Sequence, residues 1–160
     1  MRGVHLHALV FAVVVAALVP AAPAVALGLS LPATVTLSSL APGHTSTVTG
    51  VSVLVTGVLT PWTLTVTPSA TATPGQLRAT SGTCTGSTTA LNHPLHMDTS
   101  AALGTTTVQK PSWDVSSGTT QIASGTVADG LTVNYTQVVD NTELLAVGCV
   151  YSMNLTFTVS

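Results

Sequence analysis

Charge is what this 160-residue chain has least of: only 5% of its residues are charged, with three Lys plus Arg and five Asp plus Glu. So little charge beside 46% apolar residues excludes a disordered acidic or basic tail, which needs high net charge and low hydrophobicity. Three cations cannot neutralise a run of phosphates, so a polybasic nucleic-acid or anionic-membrane binder is excluded too. Aromatics make up 4%, and five acids with five His leave little material for acid–base or metal chemistry. No segment shows helical periodicity with a charged face, and no Gly-rich phosphate loop occurs. The expectation is a protein without catalytic residues, cofactor or metal.

Long apolar runs are also scarce, with one exception at the start. Ala8 to Val19 carries no polar side chain, Arg2 precedes it, Pro20 and Pro23 end the run, and Ala24-Val25-Ala26 is a small-residue triplet. A charged start, a short apolar stretch and an A-x-A site describe a secretory signal peptide covering residues 1–26. The run is too short for a membrane anchor, which takes about twenty apolar residues. Residues 27–160 are then expected as a single secreted domain. Its only cations are Arg78 and Lys110 against five acids, a formal charge of −3 (two minus five).

Cys84 and Cys149 are the two cysteines. In an exported protein an even count reads as a disulfide, and closing so long a loop stabilises by about 4 kcal/mol in the chain-entropy view. The competing reading takes Gly82-Thr83-Cys84-Thr85-Gly86 as a nucleophile elbow. That elbow needs a helix after it, and Ser87-Thr88-Thr89 opens one poorly, so the disulfide is preferred.

Most of the chain is Thr, Ser, Val and Leu in alternation, punctuated by Gly and Pro, which is the pattern of strands and turns. Ala33, Val35 and Leu37 predict one half-buried strand. Residues 45–60 predict a bent strand or two, with Gly50 or Gly57 as a bulge or corner. Trp62, Leu64 and Val66 share one face of the next. Further strands are predicted near 105–108, 119–127 and 131–139, with Asp129-Gly130 as a turn. The clearest alternation ends the chain: Cys149, Tyr151, Met153, Leu155, Phe157 and Val159 against Ser152, Asn154, Thr156 and Thr158. Seven to nine short strands with regular turns favour an all-β, Ig-like antiparallel β-sandwich over a closed barrel.

Two places carry a resemblance. Pro61-Trp62-Thr63-Leu64 contains a W-x-L triplet, and Tyr151 to Phe157-Thr158-Val159 has the spacing of a second motif of that kind, with Phe157 and Val159 where Trp and Leu would stand. Together they resemble the WxL cell-wall-binding domain of Gram-positive bacteria. The resemblance implies an exported, β-rich, non-catalytic protein of the cell wall or cell surface that binds peptidoglycan or an attached wall glycan non-covalently.

The candidate wall-binding residues are Trp62, Leu64, Trp113, Tyr151, Phe157 and Val159. Trp62 and Leu64 read equally as core, because they share a face with Val66. Trp113 follows Lys110-Pro111-Ser112 in a polar stretch, which makes it either an exposed platform or a residue packed at a strand start. His93, His96 and Asp98 have metal-like composition, but Pro94 spoils helical spacing and no further ligand completes a set, so they read as loop residues. A single Lys in residues 27–160 leaves edge strands unguarded, so a self-assembling or adhesive surface subunit is the alternative function.

Overall fold

The computed structural model describes residues 27–37, 40–57, 61–69, 72–81, 88–145 and 149–160. The expected leader, residues 1–26, and Cys84 lie outside them. Eleven strands and no helix occur among the described residues. They are β1 (Gly28–Ser30), β2 (Thr45–Thr56), β3 (Trp62–Pro68), β4 (Arg78–Ser81), β5 (His96–Ala101), β6 (Thr107–Val108), β7 (Ser112–Asp114), β8 (Thr120–Gly125), β9 (Asp129–Val138), β10 (Val150–Ser152) and β11 (Leu155–Val159).

All pairings are antiparallel, in a five-stranded sheet of order β1-β2-β9-β5-β7, a four-stranded sheet of order β11-β3-β8-β6, and a β4–β10 ribbon. The inward faces of the two larger sheets form one core. One sheet contributes Val53, Val55, Met97, Leu131 and Val133, and the other Trp62, Leu64, Val66 and Ile122. This is a β-sandwich, as the alternation predicts.

Strand β9 shows why that alternation sufficed. Residues 129, 131, 133, 135 and 137 are all buried while their neighbours are not, and β2 and β5 pair on either side. In β2 the parity changes midway: Ser46 and Val48 turn inward, then Val51, Val53 and Val55 do. The switch is a one-residue bulge, because Val48 pairs with Tyr135 while Val51 pairs with Val133. Gly50 supplies it with φ 74°, and its N–H donates to Asn134 Oδ1 at 2.8 Å. The bulge anticipated at Gly50 is therefore real, and Gly57, at φ 81°, lies just past the end of the strand.

Other expectations need correction. Among the described residues eleven strands replace seven to nine, because β1, β4, β5 and β7 fall where no strand was expected and the run 149–159 divides into β10 and β11. Residues 33–37 form no strand: Val35 and Leu37 pack on the core, but no ladder forms beside them. Asp129-Gly130 is not a turn but the start of β9, where buried Asp129 accepts from the Leu103 N–H at 3.2 Å. The 149–159 run is two strands broken at Met153-Asn154, with β10 pairing β4 and β11 pairing β3.

Candidate functional site

The break at Met153-Asn154 matters because it carries the chain from one sheet to another along one rim of the sandwich. There β10 and β11 face the extended 31–37 segment across a groove of about 920 Å³. Its floor is the core side of β2 and β9, through Val51, Val53 and Tyr135, with Leu77 and Leu95 beside them. Its wall carries Tyr151, Met153, Leu155 and Phe157. The volume lies within the range of small-ligand clefts, and the lining is mostly apolar with aromatic faces. A smaller cleft of about 230 Å³ adjoins it, sharing Ser152, Met153 and Asn154 and adding Arg78.

The groove's tyrosines are fixed differently. The Tyr151 hydroxyl donates to the Thr88 carbonyl at 2.7 Å, which sets the ring's position on the rim. Burial, and secondarily the charge of Glu143, raise its pKa above the ordinary value. Tyr135 is almost wholly enclosed, and burial pushes its pKa up to about 12. Both are neutral phenols at physiological pH, which suits stacking rather than acid–base work.

Of the six candidate wall-binding residues, only Tyr151 and Phe157 line this groove. Trp62 and Leu64 are 1% and 0% exposed, so they are core, with the Trp62 indole N–H donating to the Val127 carbonyl at 2.8 Å. Val159 is half-buried and stands in register with Leu64, which places the two W-x-L-like motifs on hydrogen-bonded neighbouring strands. Trp113 sits on β7 opposite Met97, half-buried against the core rather than raised as a platform. Tyr135 and the 31–37 segment escaped the sequence reading as groove residues. Their alternation marks buried faces, and nothing local says which buried face is left open.

The histidines separate. His93 lies in a loop, where its Nε2 is 2.9 Å from Asp140 Oδ1. His96 is on β5, not in a loop, and its Nδ1 is 2.7 Å from Asp114 Oδ1. Its Nε2 is 3.0 Å from Ser112 Oγ and 3.3 Å from Asp98 Oδ1. The β5–β7 register explains the quartet, since His96 faces Asp114 and Asp98 faces Ser112. The hydrogen bond to Asp114 raises the His96 pKa, with the Asp98 charge adding and desolvation opposing. Ser112, His96 and Asp114 thus have the connectivity of a hydrolytic triad, but Asp98 shares Nε2, and neither cleft includes any of the four. Among the described residues no group of three or more His, Cys, Asp or Glu is placed to hold a metal ion.

Among the described residues no cysteine is free, and the Cys84–Cys149 pairing falls outside what is described because Cys84 does. No described helix is long and apolar enough to cross a membrane. No family model, no curated protein and no solved structure matches the chain.

Proposed function

We propose that this is an exported, non-catalytic protein of the Gram-positive cell wall or cell surface that binds peptidoglycan or an attached wall glycan without a covalent bond. The observation that carries the reading is the groove beside the paired motif strands β3 and β11, with Tyr151 and Phe157 on its wall and Tyr135 in its floor. Sugar rings present apolar faces that stack on aromatic rings, and a formal charge of −3 for residues 27–160 offers no attraction to anionic polymers, so stacking has to do the holding. The WxL resemblance supplies the ligand class. An Ig-like strand arrangement, removal of residues 1–26 and a Cys84–Cys149 bridge belong to the same proposal.

The test is co-sedimentation of the purified protein with isolated wall sacculi. Pelleting that falls in Tyr151→Ala and Phe157→Ala, while both variants keep the wild-type circular dichroism spectrum, supports the groove. Undiminished pelleting in the folded variants, or none with the wild type, removes it. Trp62→Ala is uninformative here, because Trp62 is core and its loss acts through folding.

A further inference from the structure

The outer edge of β11 has a chemistry of its own. Residues 150–160 contain no charged residue and no Pro, two of the devices by which natural sheets guard an edge. β11 is the last strand of its sheet, paired on one side only, with β3. The reciprocal backbone bonds between Thr63 and Ser160, at 2.8 and 3.0 Å, set the parity of that pairing. Even-numbered residues of β11 face β3, so the N–H and C=O groups of Leu155, Phe157 and Val159 point outward. No described residue bonds them, although β1 approaches the strand.

The sequence of this edge is a palindrome in side-chain class: Leu155, Thr156, Phe157, Thr158, Val159. An antiparallel copy centred on Phe157 sets Phe157 against Phe157, Leu155 against Val159, and Thr156 against Thr158. Apolar then meets apolar on the half-buried face, and Thr meets Thr on the exposed one. The molecule already uses both kinds of pair internally, in Val53 opposite Leu131 and in Thr47 opposite Thr136, whose hydroxyls are 3.3 Å apart. All three outward residues are in hydrogen-bonding phase in that register, so each free N–H finds a carbonyl. A charged or proline-bearing partner would break this correspondence, whereas a second copy satisfies it by symmetry.

We infer that two copies of this chain associate through antiparallel pairing of β11 with β11 about a two-fold axis at Phe157, joining their four-stranded sheets into one. The two grooves, each lined by Phe157, then meet across the axis. This gives the self-assembling alternative a defined strand, and it does not depend on what the groove binds.

The experiment is sedimentation equilibrium of the purified protein, with variants on the exposed face of β11. Wild type is expected to be a dimer at high micromolar concentration. T156K/T158K sets two like-charged pairs opposite one another and should weaken the dimer by at least about tenfold. T156K/T158E sets Lys against Glu and should restore it. The neighbours of these positions on β3 are Thr67 and Thr65, so neither variant opposes a charge within its own chain. Hydrogen exchange on the wild type gives an answer that needs no variant: protection of the Leu155, Phe157 and Val159 amides should rise with protein concentration. A monomeric wild type, a dimer indifferent to both variants, or outward amides that exchange freely at every concentration overturns the inference.

Discussion

Gly125 stands directly opposite Trp62 in the β3–β8 ladder, and the indole occupies the space where a side chain at 125 would be. A Cβ added there would lie 2.7 Å from Cζ2 and 2.9 Å from Cε2 of the ring. Trp62 is 1% exposed and its N–H is held by the Val127 carbonyl, so the ring has nowhere to retreat. Gly125→Ala is therefore expected to destabilise by about 1–3 kcal/mol through overpacking. Trp62→Ala should cost about 3–5 kcal/mol as a cavity. Urea unfolding of both and of G125A/W62F checks this. The alanine should cost less beside the smaller ring, and equal cost in both backgrounds would sink the steric account.

How far such contacts were legible in sequence depends on their range. The face shared by Trp62, Leu64 and Val66 follows from period-two alternation alone, and so does that of β9. Gly125 as the receptor of Trp62 does not, because it depends on the register between strands about sixty residues apart. The same limit explains the terminal run. Odd residues from 149 to 159 share the more enclosed face but are half-buried rather than buried, and alternation cannot reveal that Met153-Asn154 moves the chain from β4 to β3 as partner. Residues 33–37 mark the converse case, where an apolar stripe packs without any strand to bond. The groove was invisible because it is a gap between elements, and gaps have no sequence signal.

Glu143 is 3% exposed and works as a buried staple. Its two oxygens accept the Asn92 N–H at 2.5 Å and the Asp140 N–H at 2.7 Å, tying the loop before β5 to the turn after β9. Glu143→Gln keeps the shape but aims an NH₂ group at a backbone donor, with an expected cost of about 1–3 kcal/mol. The second readout is Tyr151, whose pKa is raised partly by the Glu143 charge. Spectrophotometric titration should find it lower in E143Q, with the part due to burial kept. An unchanged tyrosine titration in a folded variant would refute the coupling.

Stability should fall on both sides of a mildly acidic optimum. The folded state raises the His96 pKa above 6.5, so its contribution is complete below that value and is lost as pH rises through the folded pKa. The folded state lowers the Asp140 pKa, through hydrogen bonds from Asn92 and then His93. That contribution is complete above 3.8 and is lost as pH falls through the folded value. Melting temperatures measured across pH should show His96→Gln flattening the decline on the alkaline side and Asp140→Asn the decline on the acid side. Both groups are substantially exposed, so added salt should shrink both effects. A decline that survives in the matching variant would assign it to other groups.

The two tryptophans should respond unequally to the same substitution. Trp62→Phe removes the indole N–H that binds the Val127 carbonyl and leaves space in a fully buried site, so a loss of about 1–3 kcal/mol is expected. In Trp113 the indole N–H is buried and has no hydrogen-bond partner among the described residues. Trp113→Phe deletes that unsatisfied donor, which offsets the lost contact area and keeps the change within about 1 kcal/mol of zero. Because Trp113 packs on the core at β7 and lines neither cleft, its replacement should also leave wall co-sedimentation unchanged. Denaturation curves and a sacculus assay on one preparation of W113F decide both points. A large loss of stability would mean that the indole N–H has a partner in solution, and a loss of binding with stability intact would move the ligand surface from the groove to β7.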